Sequence, residues 1–335
     1  MLFSLTLLLL ASGFRPSQGR PLEAAPRLSL LALGDTGKVP HAPVILAPQR
    51  RVARAMALED RRHPVDALVL LGDNFYPEGL REKKLKLRLR QNLVQPYCHF
   101  LSFTPRGAGS LEDDCDEDAA NRNPVPLYAV LGNHDYGRRH SPDLQRVVIP
   151  EYLPGWHMPV LAEAYELGEG VSLVAYQSEE MGDGGFSSLV KALRSAKGPW
   201  RILAAHHPMV DPGQGFVPSF GKDVLAAIRK AGVSVHLYLA GHEHNQQVLR
   251  GPGAALHVVV GSGAALREVS STRADRPYAA SQLGFARVDL LGNGEDETLR
   301  VTLHALGRWA YGSATPVSRW EIQVDGTVRE LPASG

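Results

Sequence analysis

The 335-residue sequence predicts an α/β fold in which two packed β-sheets are flanked by helices. Short apolar runs typical of buried strands alternate with stretches of helical periodicity, and this alternation occurs twice along the chain. The composition, with 44% hydrophobic and 21% charged residues, is that of a globular protein able to bury a sizeable core. One domain, over residues 28–331, is sufficient to account for these elements.

Five of the apolar runs end at polar residues. The runs span 28–33, 67–71, 127–131, 201–205 and 235–240. They end, respectively, at Asp35 in GDTG, Asp73 in GDNFY, Asn133 and His134 in GNHD, His206 and His207 in HHP, and His242 and His244 in GHEH. Because open α/β sheets carry their sites at the carboxyl ends of buried strands, we expect these side chains to meet at one edge.

The segments between these runs predict helices and further strands. Residues 42–62 predict a helix interrupted near Pro48, and residues 78–93 predict a surface helix whose charges are solvated. Helices are also expected at 189–193 and 224–231. Strands are expected at 162–167 and 171–176 as a hairpin, at 256–260, 285–290 and 299–306, and in a second hairpin over 320–328 that turns at Asp325-Gly326.

Residues 98–126 change in composition to Gly, Ser, Pro and acidic residues and predict a long loop insertion. The acidic stretch 112–118 lacks the ligand spacing and the glycine of a calcium-binding EF-hand loop, so we expect it to be solvated. Cys98 and Cys115 are the two cysteines of the chain. In an oxidising compartment they form a disulfide that closes this loop, and two free thiols are the alternative.

The residues that end the five runs are those that bind metal ions. Carboxylate and amide oxygens suit hard cations, whereas imidazole suits Zn, Fe or Mn. The set has too many ligands for one ion, which predicts two ions that share a bridging carboxylate. Any one of these residues alone would be better explained as a helix cap, a turn residue or a surface histidine; six in motif order favour a metal site.

The ordered motifs GD, GDxxY, GNH, a strand-ending His and GHxH resemble those of the calcineurin-like metallophosphoesterases. The tyrosine of GDNFY makes the series similar to the purple acid phosphatases, and the flanking KVPHAP and GHEHNQQ resemble the small, tartrate-resistant (mammalian-type) branch. The resemblance covers residues 28–306 approximately. It implies the four-layer α/β/β/α sandwich of that family.

The resemblance also implies the metals and their ligands. Asp35, Asp73, Tyr76 and His244 would bind Fe(III), because a phenol gives up its proton near neutral pH only to a strong Lewis acid. A divalent Fe, Zn or Mn would be bound by Asp73, Asn133, His206 and His242, with Asp73 as the bridge. For Tyr76, a packed aromatic ring with a satisfied hydroxyl is the alternative.

The implied reaction is hydrolysis of a phosphate monoester at acidic pH by attack of a metal-bound hydroxide. In this mechanism Asn133 and His134 bind phosphate, and His134 protonates the leaving oxygen; a histidine that only holds a carboxylate is the alternative. His207 stands where the branch usually has Tyr and is expected to contact or orient substrate. A further family histidine falls on Gly215, which leaves the substrate preference and pH behaviour of the branch open.

Two other functions fit the same motifs. One is a phosphodiesterase of the same superfamily, and the other is a non-catalytic metal-binding member.

Two glycine-containing stretches do not match other enzyme motifs. GDTGK at 34–38 lacks the spacing of a P-loop, and Gly261-Ser262-Gly263 lacks the frame of a nucleophile elbow. An NTPase and a serine hydrolase are therefore excluded.

The amino terminus predicts a secretory signal peptide over residues 1–19, with an uncleaved anchor or a mis-assigned start as the alternatives. We therefore expect a secreted, extracellular or periplasmic protein. The 36 basic and 35 acidic residues nearly cancel, which argues against a nucleic-acid or anionic-membrane binder. The expected partner is a small phosphomonoester or a phosphoprotein, and the expected state is a monomer.

Overall fold

The computed structural model describes residues 25–38, 47–269, 272–307 and 313–333. The predicted signal peptide, and residues 42–46 of the predicted first helix, lie outside these described residues. No helix within them is long and apolar enough to cross a membrane.

The strands are, in chain order, β1 (Leu28–Leu33), β2 (Ala67–Leu71), β3 (Leu127–Val130), β4 (Trp156–His157), β5 (Ala162–Gly168), β6 (Val171–Tyr176), β7 (Trp200–Ala204), β8 (Leu237–Ala240), β9 (Gln246–Leu249), β10 (Leu256–Val260), β11 (Tyr278–Ala280), β12 (Gly284–Leu291), β13 (Thr298–Leu306), β14 (Ala314–Gln323) and β15 (Val328–Leu331). The first sheet has the order β15-β14-β13-β12-β1-β2-β3-β4, and the second has the order β11-β9-β10-β8-β7-β6-β5. Strands β1 to β4 run parallel to one another, as do β6, β7, β8 and β10.

The helices are α1 (Pro48–Arg62), α2 (Leu85–Leu89), α3 (Gln95–Tyr97), α4 (Pro105–Ala108), α5 (Ser141–Asp143), α6 (Phe186–Ser195) and α7 (Ser219–Ala231). A π-helical turn, Arg90–Val94, joins α2 to α3. Pro48 is the first residue of α1, where its missing N–H has no hydrogen bond to lose, so within the described residues it begins the helix and does not interrupt one.

The layers follow from which faces of the strands are buried. In β1, Leu30 and Ala32 pack between the two sheets against residues of β7 and β8. Leu31 and Leu33 face the other way and pack with Val52 and Met56 of α1. On the far side, α6 and α7 cover the outer face of the second sheet. This is the predicted α/β/β/α arrangement, and burial on both faces explains why the strands read as continuous apolar runs.

Residues 98–126 form short helical turns joined by loops, and Cys98 and Cys115 form a disulfide. The expectation that the acidic stretch is solvated is confirmed in part: Asp113, Asp116 and Asp118 are exposed, whereas the other acidic residues are partly buried. Four of its acidic side chains pair with basic residues, some in neighbouring elements and some in the insertion itself: Glu112 with Arg122, Asp114 with Arg90, Asp116 with Arg50, and Glu117 with Arg61 and His99. The insertion is therefore attached to α1 and to the helical segment after α2.

The helix predicted over 78–93 begins several residues later, with a 3-10 turn at Glu82–Lys84. Its charges are not all solvated, contrary to the prediction. Arg88 is partly buried and donates hydrogen bonds to the carbonyl oxygens of Tyr76, at 2.8 Å, and Gly37, at 3.4 Å. This segment therefore supports the loop that carries Tyr76.

Candidate metal centre

The five motifs meet where the two sheets face each other. Strands β1, β2 and β3 of the first sheet and β7 and β8 of the second lead into them. The prediction of a single sheet edge is therefore wrong, since two carboxyl edges contribute. Backbone hydrogen bonds connect the motifs: Asp35 N–H donates to Gly72 O at 3.0 Å, and Gly241 N–H donates to His206 O at 2.9 Å.

Three of the predicted ligands have left-handed backbone conformations. Their φ angles are 60° at Asp35, 54° at Asp73 and 69° at His242. Non-glycine residues adopt this region at a cost in free energy, and such residues cluster at functional sites. Two glycines allow other segments of the backbone to lie close to the aspartates. A Cβ on Gly132 would lie 2.2 Å from Asp73 Oδ1, and one on Gly261 would lie 2.5 Å from Asp35 Oδ2.

Asp35, Tyr76 and His244 form one side of the centre. The Tyr76 hydroxyl donates to Asp35 Oδ1 at 3.0 Å and lies 2.9 Å from His244 Nε2. His244 Nε2 is itself 3.2 Å from Asp35 Oδ1. The second Asp35 oxygen, Oδ2, accepts the backbone N–H of His242 at 2.7 Å. All three side chains are buried, so their polar atoms face one another and not solvent.

Asp73, Asn133, His206 and His242 form the other side. Asn133 Oδ1 lies 3.1 Å from His206 Nε2 and 3.2 Å from His242 Nδ1. His206 Nε2 lies 3.6 Å from Asp73 Oδ1, which also accepts the backbone N–H of His134 at 2.9 Å. Ligand atoms of Asp35, Asp73 and His206 come within 4.8 Å of one another, so Asp73 lies near ligands of both sides.

Burial is the largest cause of the pKa shifts in the candidate centre. Burial, with a contribution from the nearby Asp73 charge, raises the Asp35 pKa to about 6, although hydrogen bonding to His244 opposes the shift. Burial, together with the charges of neighbouring histidines, lowers the pKa values of both His206 and His242 to about 3. For Tyr76, burial and the charges of Asp35 and Asp73 raise the pKa. The protein alone thus keeps the imidazoles neutral and holds two carboxylates close together.

The lone pairs of this cluster are arranged to bind a metal cation. His206 Nδ1 donates to Leu71 O at 2.8 Å, so in the neutral ring Nε2 carries a lone pair. That lone pair faces the oxygen of Asn133, which is also an acceptor. Two acceptors at this distance repel unless positive charge lies between them. Carboxylate, amide and neutral imidazole ligands in this arrangement suit divalent and trivalent transition metals.

The sequence profile of calcineurin-like phosphoesterases matches residues 28–246. The chain belongs to that family. It is 27% identical over 262 residues to tartrate-resistant acid phosphatase type 5 of Rattus norvegicus, which covers 71% of this chain and 73% of the relative. It is 25% identical over 247 residues to purple acid phosphatase 17 of Arabidopsis thaliana, which covers 67% of this chain and 64% of the relative. These matches establish a relationship to the purple acid phosphatases.

Solved structures of low sequence identity share the fold. GAP50, the anchor in the inner membrane complex of Plasmodium, has a TM-score of 0.62 at 17% identity, and the match covers 87% of this chain and 88% of that one. The purple acid phosphatase PPD1 of yellow lupin (Lupinus luteus) has a TM-score of 0.56 at 15% identity, with coverages of 88% and 53%. The predicted fold is therefore confirmed, and the family profile confirms the predicted metallophosphoesterase family. Members of this phosphoesterase family use a binuclear metal centre, and the chain contains a candidate site for one.

His134 lies beside this candidate site of the phosphoesterase. Its Nδ1 donates to Pro77 O at 2.7 Å, and its Nε2 lies 4.0 Å from Asp73 Oδ2. The ring packs on Tyr76 with centroids 4.3 Å apart, and 35% of the side chain is exposed. The bond to Pro77 fixes the ring, and Nε2 is left to face the centre.

His207 also lies beside the centre, with its ring 4.5 Å from that of His242. Its Nδ1 is 2.9 Å from Ser178 Oγ, and its Nε2 is 3.4 Å from Glu179 Oε1. His206, His207 and His242 also offer three nitrogens within 4.8 Å of one another. Gly215 stands at the position where the family resemblance implies another histidine. It has a φ of 78° and lies beside Arg273 and Asp275.

The sequence reasoning missed Asp135, the fourth residue of GNHD. This buried carboxylate accepts hydrogen bonds from the N–H groups of Gly132 at 2.9 Å, Asn74 at 3.0 Å and Phe75 at 3.0 Å. Burial and the Asp73 charge raise its pKa to about 7, while these bonds oppose the shift. Asp135 thus joins the GDNFY loop to the GNHD loop. Its only sequence signal is its place in the motif.

Proposed function

We propose that this protein is an acid phosphatase of the small, tartrate-resistant branch of purple acid phosphatases, and that it hydrolyses phosphate monoesters at a binuclear metal centre. The observation that carries the proposal is the convergence of Asp35, Asp73, Tyr76, Asn133, His206, His242 and His244 in a single cluster at the adjoining edges of two sheets. Acid phosphatase relatives at 25–27% identity support it.

Within this proposal, Asp35, Asp73, Tyr76 and His244 hold Fe(III). Asp73, Asn133, His206 and His242 hold a divalent Fe, Zn or Mn, and Asp73 serves both ions. The division follows ligand chemistry: the side with a phenol and two carboxylates suits a trivalent ion, whereas the side with two neutral imidazoles suits a divalent one. The raised Tyr76 pKa means that only a strong Lewis acid would displace its proton.

When bound, the ions would supply Lewis acidity toward a phosphate oxygen and lower the pKa of a water molecule. The side chains around them complete the site. His134 and Asn133 face the position of a phosphate group, and His134 Nε2 donates a proton to the leaving oxygen. His207, held by Ser178 and Glu179, contacts the rest of the substrate.

Two cations on the rim of the centre support an anionic substrate. Lys38 Nζ lies 5.5 Å from the centre of the Tyr76 ring. The backbone N–H of Arg267 donates to His244 O at 2.9 Å, and its side chain is exposed. Burial is the main cause of the low His242 pKa, and the charge of Arg267 contributes to it. Both cations would attract a phosphate dianion.

The remaining parts of the proposal concern the whole chain. Residues 1–19 are a signal peptide, residues 28–331 form one catalytic domain, and the protein is secreted as a monomer. Its substrate is a small phosphomonoester or a phosphoprotein, and not a nucleic acid or a membrane. The near-neutral formal charge of +1 is in keeping with such a partner.

The experiment that tests the proposal compares an aryl phosphate monoester with a bis-aryl phosphate diester on purified, metal-analysed protein. We expect the monoester to have the larger kcat/KM, an optimum at acidic pH, and activity that is lost with the metal. A larger kcat/KM for the diester would identify a phosphodiesterase of the same family. No turnover above the metal-free control for either ester would identify a non-catalytic member.

A further inference from the structure

A second polar site lies on the outer face of the first sheet. A cavity of about 720 Å³ is bounded by β12, β13 and β14 and by the end of α1, and we call it the basic cavity. Arg62, His63, Arg287, Thr302, His304 and Arg319 are among its lining residues. None of the residues that line it belongs to the five motifs of the metal centre.

The strand register explains why this part of the sheet face is positively charged. Arg287, Thr302 and Arg319 are direct cross-strand neighbours on β12, β13 and β14. In the adjacent row two positions along, Asp289, Arg300 and Glu321 are neighbours in the same way, so the charges alternate. Side chains that face each other across strands interact directly. The first row has two guanidinium groups and no carboxylate.

Of the three acidic residues that line the basic cavity, Glu59 and Asp289 contact Arg287, and Asp66 accepts a backbone N–H. Asp289 accepts from Arg287 Nε at 2.8 Å, and Glu59 lies 3.6 Å from Arg287 Nη1. Asp66 accepts the backbone N–H of Ser29 at 2.7 Å. Arg287 donates its remaining N–H groups to His63 O and Ser29 Oγ, both at 2.8 Å. Arg287 is thus neutralised locally, whereas these contacts leave Arg319 without a carboxylate.

Two buried nitrogens in the cavity wall lack partners. Within the described residues, neither Arg319 Nε nor His304 Nδ1 has a hydrogen-bond partner. His304 is 4% exposed and stacks on Phe285 with ring centroids 5.0 Å apart. A buried polar atom without a partner is costly, and an unfilled ligand site is one of its explanations.

The arginines that act on His304 carry positive charge, which attracts an anion. Burial, together with the positive charges of Arg287 and Arg319, lowers the pKa of His304 to about 3. His304 therefore stays neutral and can donate one N–H without adding charge. Guanidinium groups bind tetrahedral oxyanions through two parallel N–H donors, and a hydroxyl such as that of Thr302 supplies a further one.

We propose that the basic cavity binds a phosphate or sulfate group, held by Arg319, Thr302 and His304. The cavity is larger than a free oxyanion needs, so the ligand is either the inorganic ion or a small organic molecule that carries the group. The proposal rests on the outer face of the sheet alone. It does not depend on the activity proposed for the metal centre.

The test is thermal unfolding of the full chain, titrated with sulfate at constant ionic strength. Wild type should show a saturable rise in unfolding temperature, because a ligand that binds only the folded state stabilises it. Arg319→Met should require about tenfold more sulfate for the same rise, since one charge-assisted contact is lost. Arg54→Met, which removes an exposed α1 arginine outside the cavity, is the matched control and should behave as wild type.

Sulfate bound at the metal centre would raise the unfolding temperature of all three proteins alike, so only the difference between variants reports on the cavity. If Arg319→Met does not fold, Thr302→Val provides the same comparison and should also weaken the response.

A parallel titration with phenylphosphonate, which phosphatases do not hydrolyse, distinguishes an organic ligand from the inorganic ion. A stronger response than to sulfate indicates an organic ligand, and a weaker one indicates the inorganic ion. Equal responses of wild type and Arg319→Met, or equal weakening by Arg54→Met, would overturn the proposal.

Discussion

At the scale of single residues, His134 differs from the buried histidines of the centre, His206 and His244, in its exposure. His206 is fully buried, whereas 35% of the His134 side chain is accessible and its Nδ1 is bound to Pro77 O. A ring that is fixed on one side and open on the other can exchange a proton with substrate and then with solvent. This combination is what a general acid requires.

His134→Ala should retain both metals and slow the hydrolysis of alkyl phosphates by roughly 10²-fold, because an alkoxide needs a proton to leave. Activated aryl phosphates should lose less, since their leaving groups are weak bases. The measurement is kcat across a series of leaving groups. His140→Ala, which changes an exposed histidine, serves as the control. A loss of the same size for every leaving group would indicate a binding or structural role.

Tyr76→Phe should remove the visible absorption of the iron-loaded protein. A phenolate bound to Fe(III) transfers charge to the metal, and Phe fills the same buried space without the hydroxyl. The measurement is the visible spectrum of the purified, iron-loaded variant, with Tyr136→Phe as a control that removes a nearby phenol outside the ligand set. A colourless wild type, or a Tyr76→Phe variant of unchanged colour, would argue against phenolate ligation.

Most side chains of the candidate centre were predictable because they follow apolar strands within a few residues, and Tyr76 because of its place in the family motif GDNFY. The residues that hold those side chains in place were not. Asp135 acts through three backbone N–H groups from two loops, and Arg88 acts through the Tyr76 and Gly37 carbonyls. Such contacts depend on how distant segments pack, and neither residue type reveals its backbone partner in the sequence.

At the scale of elements, the insertion of residues 98–126 is closed on itself by its disulfide and is attached to α1 by polar contacts. His99 is buried and bridges two carboxylates: Nε2 lies 2.7 Å from Asp60 of α1, and Nδ1 lies 3.0 Å from Glu117 of the insertion. Burial by itself would lower the His99 pKa, but the two hydrogen bonds outweigh it and raise the pKa above its usual value. The protonated ring satisfies both carboxylates at once.

This bridge predicts how the stability of the fold depends on pH. A raised pKa in the folded state means that the His99 contribution is complete below the unfolded pKa of about 6.5 and is lost as pH rises through the folded pKa. His99→Gln should therefore reduce the free energy of unfolding by about 1–3 kcal/mol more at pH 5.5 than at pH 8.5. Denaturant unfolding at both pH values measures this. A His99→Gln difference as small as that of the exposed control His140→Gln would contradict the bridge.

The long apolar strands were predicted to within a few residues because burial on both faces makes their sequences distinctive. Strands β4, β9 and β11 were missed. Each has four residues or fewer, and β9 begins with Gln246 and Gln247, whose buried side chains form hydrogen bonds. These short strands form because a neighbouring strand offers free backbone groups, which a local pattern does not reveal.

At the scale of the whole molecule, the candidate centre exists only where the two sheets pack together. The first sheet supplies Asp35, Asp73 and Asn133, and the second supplies His206 and His242. The apolar residues between the sheets, such as Leu30, Val69 and Leu239, are fully or almost fully buried. The sequence predicted both sheets and the order of the motifs. It did not assign the motifs to different sheets, because strand order in space depends on long-range pairing.

The central claim is that one carboxylate, Asp73, serves two metal ions. Metal analysis of purified protein by mass spectrometry tests it most directly, with Asp73→Ala compared with wild type and with Asp223→Ala, an exposed aspartate of α7. The account predicts two ions per chain in wild type and in Asp223→Ala, and loss of metal from both positions in Asp73→Ala. An Asp73→Ala protein that still holds two ions per chain would contradict it.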